Sequence, residues 1–525
     1  MRSSWFARGV NDVAYVLGID IGTYESKGAL VDEAGKLLVS EAVAHRLEIP
    51  QRGWAEHDAE QTWWHDFTQL SKAITQKAAD KYGIRPEEIK AVGVSSIAPA
   101  VVPVDVEGKP LRKAILYGVD TRSQKQVDDL NEQIGEERIF QVAAQSLSAQ
   151  SAGPKILWIR QEEPHVYERT AKFLCGSGYL VYKLTDEQII DRYTAASYAP
   201  LFDIHQLKWS TELASAICEL DQLPRLTWSH EIVGEVTRHA ADQTGLAQGT
   251  KVIAGTADAL SEAISVGAVH KGDLMLMYGS STFFILVAPH LPKTQTLWAN
   301  LHAVPGSHTI TGGTATAGSL TRWFIDQWLS VAGQRGDPST GGMTVDEAYT
   351  YATKLAEQSP PGANGLLTLP YFSGERTPIH HATAKGVFFG LTLHHTQSDM
   401  YRSILEGISF SIRHNMDEIR SMQVPIHRAV AVGGGVKNRL WLQSVSDICQ
   451  MTQVVPEITL GAAYGNAFLC ALGLGWHRDI TEMDQWVRVK EEITPQEAHQ
   501  PLYERYYELY HRLYRQTRDL MDELT

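Results

Sequence analysis

Four short stretches of the sequence combine residue types that can hold phosphate or move a proton. Asp20-Ile21-Gly22-Thr23 sets an acid at the end of an apolar run, followed by a glycine turn and a hydroxyl. Such an acid can hold a hydrated Mg²⁺, and the turn offers backbone N–H groups to phosphates. A hairpin turn that merely contains Asp and Thr has the same pattern. Gly279-Ser280-Ser281-Thr282 repeats the glycine-and-hydroxyl chemistry without the acid. Facing each other across a cleft, the two turns would clamp a polyphosphate, although Ser/Thr turns are common between strands. Gly433-Gly434-Gly435 follows a strand-like run and leads to Asn438, where a helix opens. Three glycines clear side chains from where a flat ring must approach the backbone, and a strand-to-helix glycine turn suits a nucleotide. Close strand–helix packing asks for the same residues. So does the small-residue helix start at 461–467, which could close over an adenosine or simply pack on a sheet. Asp258, in Gly255-Thr256-Ala257-Asp258-Ala259, ends another apolar strand. It is placed to deprotonate a hydroxyl that attacks a γ-phosphate, or to cap a helix.

These residues need strands that end in turns, and the surrounding pattern supplies them. Residues 14–20, 27–31 and 37–40 read as three strands joined by tight turns, an antiparallel meander. A helical pattern runs from about 61 to Tyr82, and 91–95 is the next strand. Halfway down the chain a second strand–turn–strand unit, 273–278 and 283–287, brackets the Gly279 turn, which suggests an internal duplication of fold. Strands alternating with helices make this an α/β chain. The reading gives a tail over 1–13, an N-terminal lobe over 14–270, a C-terminal lobe over 271–495 and an exterior packing helix over 496–525. Residues 333–342, rich in Gly, Pro and Ser, read as a surface loop.

Composition bounds the functions open to such a chain. It has 525 residues with a net charge of -14, 43% hydrophobic and 21% charged residues. That is material for two or more folded domains, and too acidic for a general nucleic-acid binder. No apolar run approaches the ~20 residues that cross a bilayer, and 1–13 has none long enough for a signal peptide. The four cysteines are widely spaced and match no metal pattern. They fit buried thiols in a reducing, cytoplasmic setting.

The chain also resembles the FGGY carbohydrate kinase family, within the sugar kinase, Hsp70 and actin superfamily. Gly386-Val387-Phe388-Phe389-Gly390-Leu391, followed after a gap by Asp399-Met400-Tyr401-Arg402-Ser403-Ile404-Leu405-Glu406-Gly407, fits the family's C-terminal signature. Leu369 to Pro378 is a second family-like block, and Trp54-Ala55-Glu56-His57-Asp58 and Leu116 to Arg122 resemble blocks of the sugar-binding lobe. The N-terminal signature is partial, with a match at Lys155-Ile156-Leu157-Trp158-Ile159. The resemblance implies two ribonuclease H-like lobes with a cleft between them, ATP and Mg²⁺ as cofactors, and a small sugar or polyol as substrate. It makes Asp258 the catalytic base and Asp20 the acid near Mg²⁺. It makes Gly22 and Thr23 the first phosphate loop, Gly279, Ser280 and Ser281 the second, and Gly433, Gly434, Gly435 and Asn438 the adenosine site. Asp120 becomes an acid that holds sugar hydroxyls, with Arg122 beside it. Neither a nucleic acid nor a membrane is implied as partner, and a homodimer is left open.

Departures from the family concern the sugar. Xylulokinase-like members carry Gln-Met-His-Gly after the strand that is 91–95 here, and glycerol kinase-like members an Arg-Glu pair. This chain has Ile97-Ala98-Pro99-Ala100. Ala259 stands where many relatives have Asn or Gln. Ala98, Pro99 and Ala259 therefore predict a less polar wall, which suits a deoxy, modified or otherwise unusual polyol, or equally a site whose polar contacts come from elsewhere. A ketopentose such as xylulose is the leading substrate. Gluconate, glycerol or another polyol follow, and a non-catalytic nucleotide- or sugar-binding relative is the reading from a different class.

Overall fold

The computed structural model describes residues 13–329, 344–457 and 459–524; the tail before 13 and the loop at 333–342 lie outside them. The chain folds as two compact units. Unit 1 comprises Met1–Val269, Asn300–His308 and Ile458–Val487, and unit 2 comprises His270–Ala299, Thr309–Glu457 and Arg488–Thr525. The elements that matter in unit 1 are β1 (Tyr15–Ile21), β2 (Glu25–Asp32), β3 (Leu37–Ala44), α1 (His65–Tyr82), β4 (Ile89–Ser96), β5 (Ile232–Glu235), β6 (Lys251–Ile253) and α2 (Asp258–Ser265). β1, β2 and β3 form the antiparallel meander that the sequence predicts. β4 pairs parallel to β1, β6 parallel to β4, and β5 closes the edge antiparallel to β6.

Alternation along β1 decides what the sheet faces. Leu17 and Ile19 point into the core under α1, with Phe67, Leu70 and Trp63. Val16 packs on the opposite face, with Leu260, Ala467 and Phe468. Gly18 and Asp20 share that second face by period two. There the helix Ala462–Gly473 lies so close that a Cβ on Gly18 would sit 1.8 Å from the Ala463 carbonyl oxygen. A Cβ on Gly465 would come 2.0 Å from the carbonyl oxygen of Ser261, on α2. The small residues at 461–467 thus serve tight packing on the unit 1 sheet, which corrects their assignment to the C-terminal lobe. A single boundary near 270 does not describe a chain that returns.

Unit 2 repeats the scheme. β7 (Asp273–Tyr278) and β8 (Thr282–Ala288) form a hairpin. β9 (Arg428–Val432) runs parallel to β7, β10 (Gln453–Pro456) parallel to β9, and β11 (Val489–Ile493) antiparallel to β10. Leu274, Leu276 and Tyr278 pack against Tyr401, Leu405 and Ile408 of the long helix Gln397–Ser421. The helix Gln500–Glu523 buries Tyr503, Tyr507 and Tyr510 against Tyr371 and Phe410, the packing role its aromatic pattern predicts. All four cysteines are buried and free, and no helix among the described residues is long and apolar enough to cross a membrane.

Candidate functional site

The acids of unit 1 come together although they lie far apart in sequence. Asp20 stands one residue from the end of β1, paired with Lys27 on β2 and Ser95 on β4. Asp258 is the first residue of α2 and not its cap: the cap position is Ala257, and Asp258 Oδ1 accepts the Ala259 N–H at 2.8 Å. Burial raises the proton affinity of Asp258 well above that of an ordinary carboxylate, and the charges of Asp20 and Glu262 raise it further. Asp20 is pushed up by burial, against a hydrogen bond from Ser95 that lowers it, and Glu262 adds to the rise. Glu262 is itself raised by burial, with Lys27 as its compensating cation. Desolvation is the leading cause for all three acids, and Glu262 adds to the rise of Asp20 and Asp258 through its charge.

Hydroxyls and amides surround this cluster. Ser95 Oγ donates to Asp20 Oδ1 at 2.6 Å, and Asn466 Nδ2 donates to Ser95 Oγ at 2.7 Å. The Thr23 hydroxyl meets the Tyr117 hydroxyl at 3.2 Å, and both Tyr117 and Tyr193 feel the Asp258 charge. His45 holds the turn itself, one ring nitrogen 3.1 Å from the Gly22 carbonyl oxygen and the other 2.8 Å from Asp66. Sequence reasoning missed Ser95, Tyr117, Tyr193, Asn466 and His45. Ser95 carried a local signal as the residue ending the strand next to β1, and Tyr117 and Asn466 lay inside the stretches 116–122 and 461–467 without being singled out.

The predicted sugar-side residues divide in two. Ala98 and Ala259 are half-exposed and Pro99 is buried, so this wall carries no side-chain donor. Asp120 and Arg122 behave differently from the expectation that Asp120 receives sugar hydroxyls. Asp120 is 0% exposed, and its oxygens accept the Ala55 N–H at 2.7 Å, the Arg122 N–H at 3.1 Å and the Arg122 guanidinium at 2.6 Å. Arg122 also donates to Glu56 at 2.8 Å and lies 3.8 Å over the Trp54 ring. A carboxylate offers about four lone-pair sites, and protein donors take these. In this geometry Asp120 anchors the 53–55 turn, and a sugar hydroxyl would have to displace a protein donor to reach it. Lys155 is also buried, which brings its ammonium down to about 8 despite the attraction of Asp120.

Unit 2 holds the neutral turns. The Gly279 carbonyl oxygen accepts the Gly318 N–H at 3.0 Å, and the Ser280 carbonyl oxygen accepts those of Ala317 and Ser319, both at 2.9 Å. These bonds tie the turn to the start of the helix Gly318–Trp328 and leave Ser280 exposed and Ser281 half-exposed. In the glycine run only one position is open. Gly433 has φ +90°, and its Cβ would lie 2.8 Å from the Tyr278 carbonyl oxygen; a Cβ on Gly435 would strike Trp441 at 2.7 Å. Gly434 has nothing within 4 Å. Packing therefore accounts for Gly433 and Gly435, and space for a ligand exists at Gly434. Asn438 caps the helix Arg439–Cys449, its Oδ1 accepting the Trp441 N–H at 3.1 Å.

Two sheet units of one topology, one carrying an acid cluster and the other glycine–hydroxyl turns, define a phosphotransferase scaffold. Models of the N-terminal and C-terminal domains of the FGGY family of carbohydrate kinases match residues 15–265 and 274–474, and the chain belongs to that family. It is an ATP-using sugar phosphotransferase. A xylulose kinase of Staphylococcus epidermidis RP62A is 30% identical over 516 residues, spanning 97% of this chain and 98% of the relative. A gluconokinase of Bacillus licheniformis is 28% identical over 467 residues, spanning 88% of this chain and 87% of the relative. Among solved structures, xylulose kinase from Rhodospirillum rubrum superposes with a TM-score of 0.89 at 28% identity, covering 97% of this chain and all of that one.

Proposed function

We propose that the enzyme phosphorylates a neutral ketopentose, xylulose or a close relative, with Asp258 as the general base. The observation that carries this reading is the half-exposed carboxylate of Asp258 at the start of α2, whose proton affinity desolvation and the Asp20 charge raise above the ordinary. Asp258 takes the proton from the sugar hydroxyl as that oxygen attacks the γ-phosphorus, and ADP leaves with the cleaved bond's electrons. In unit 1 Thr23 and the Gly22 backbone offer phosphate donors; in unit 2 Gly279, Ser280 and Ser281 offer them, and Gly434 leaves room for the nucleotide base. Among the described residues no group of three or more acids or histidines is arranged to hold a metal ion directly, so a Mg²⁺ would meet the oxygen donors of unit 1 with much of its water shell kept. Asp20 would hold it through water, and bound Mg²⁺ would neutralise charge on the transferring phosphate.

Charge favours a neutral sugar over an aldonate. Asp20, Asp258 and Glu262 would repel a carboxylate, while Arg122, the cation among the predicted sugar-side residues, has a fully buried side chain already paired with Asp120 and Glu56. The wall of Ala98, Pro99 and Ala259 selects by shape, and Tyr117 supplies the polar contact that Asp120 does not. A cytoplasmic enzyme agrees with four buried thiols. A coupled assay of ADP release over ketoses, aldonates and polyols tests the proposal. D-xylulose or another ketopentose should give the highest kcat/KM; a clear preference for gluconate or glycerol would refute it.

A further inference from the structure

Asn466 is 0% exposed, and every polar atom of its side chain is engaged. Its Nδ2 donates to the Ile19 carbonyl oxygen at 2.9 Å and to Ser95 Oγ at 2.7 Å, and its Oδ1 accepts from Ser261 Oγ at 2.9 Å. The Ile19 carbonyl can only accept, so the amide nitrogen must face β1 and the amide oxygen must face α2. A serine hydroxyl has one proton. With a lone pair of Ser95 filled by the amide N–H, the Ser95 proton is directed to its remaining close partner, Asp20 Oδ1 at 2.6 Å. At the other end, Ser261 lies one turn beyond Asp258 on α2, and its single hydroxyl proton is shared between Asn466 Oδ1 at 2.9 Å and the Ala462 carbonyl oxygen at 2.8 Å. One buried amide therefore connects the strand that bears Asp20 with the helix that bears Asp258.

We propose that Asn466 is a positioning residue for phosphoryl transfer: it aims the Ser95 hydroxyl at Asp20 and fixes the first turn of α2, which carries Asp258, relative to β1. The proposal rests on the reading of Asp20 as the acid near Mg²⁺ and of Asp258 as the base. It assigns function to a residue whose neighbours, Gly465 and Ala467, are explained by packing alone. A general base must lie within hydrogen-bond reach of the proton it takes, so a small drift of α2 against β1 acts on turnover more than on substrate binding.

The test uses Asn466→Ala, Ser95→Ala, their double variant and Asp20→Asn in the full chain. Each network variant should lower kcat about tenfold or more, the scale of one lost hydrogen bond to a charged group, with sugar KM changed less than about threefold. The double variant should be no slower than the worse single, because both act through one chain of bonds. Calorimetric titration of Mg²⁺ into the enzyme–ADP complex should show weaker binding in Ser95→Ala and Asn466→Ala. Lowered melting temperature with unchanged kcat and unchanged Mg²⁺ binding in both would reduce the network to packing and overturn the proposal. Losses that multiply in the double variant would also overturn it. Wild-type turnover in Asp20→Asn would instead remove the reading of Asp20 and, with it, the basis of the proposal.

Discussion

The hairpins that open the two units carry opposite chemistry at matching places. The penultimate residue of the first strand is Asp20 in unit 1, paired with Lys27 and Ser95. In unit 2 it is Met277, paired with Phe283 and Val432. The strand directions around it are the same in both: antiparallel to the next strand in the chain, parallel to the strand on the other side. Topology thus supplies the position, a strand end followed by a glycine turn, and the side chains decide its use. Unit 1 concentrates acids that can take a proton or attract a metal ion. Unit 2 presents neutral hydroxyls and backbone, which suit an anionic nucleotide without competing for the proton.

If this division holds, the largest effect belongs to Asp258. Asp258→Asn should lower kcat by ~10²–10⁴, the range for removing a general base, as read by steady-state ADP release. No single hydroxyl of unit 2, Ser280→Ala included, should approach that loss.

Next comes the buried ion pair of unit 1. Asp120→Ala leaves Arg122 buried without its main partner and should cost about 3–5 kcal/mol, read by urea unfolding. If Asp120 were instead an open sugar ligand, stability would change little and sugar KM would rise.

The acids also leave a signature in the pH dependence of stability. Burial, with Glu262, holds Asp20 up to about 7 against a usual 3.8 in spite of the Ser95 hydrogen bond. The folded chain then keeps a proton that the unfolded chain has released. The stability gained from this group is full below about pH 4 and is lost as pH rises through about 7. In the metal-free enzyme, Asp20→Asn should melt with a shallower decline than wild type between about pH 4 and 7. Parallel melting curves would show that Asp20 carries an ordinary carboxylate.

The smallest effect sharpens the nucleotide side. A Cβ at Gly434 meets no neighbour within 4 Å in the folded chain, so Gly434→Val should leave melting little changed while raising KM for ATP. Gly433→Ala, at φ +90° and against the Tyr278 carbonyl, should lose stability by about 1 kcal/mol or more. Equal loss of stability in both would mean the run is packing throughout.

Local patterns made much of this legible. The two hairpins, the acid at the end of β1 and the acid at the start of α2 follow from apolar runs punctuated by glycine, and the structure has them at those places. What the sequence hid was partnership. Small residues at 461–467 suit any close contact, and only the fold shows that they lie on the sheet bearing Gly18. Asp120 looks like a ligand beside Arg122 in sequence. Its saturation depends on the Ala55 N–H, brought from 65 residues away. Ser95, Tyr117 and Asn466 reach the acids through pairings of distant segments that no short motif encodes.

The division of labour between the units is tested most directly by calorimetric binding of a non-hydrolysable ATP analogue to Asp258→Asn. The account predicts an affinity within about threefold of wild type, since the nucleotide is read by unit 2 and the missing group serves the sugar's proton. A tenfold or greater weakening, with the variant fully folded, would contradict it.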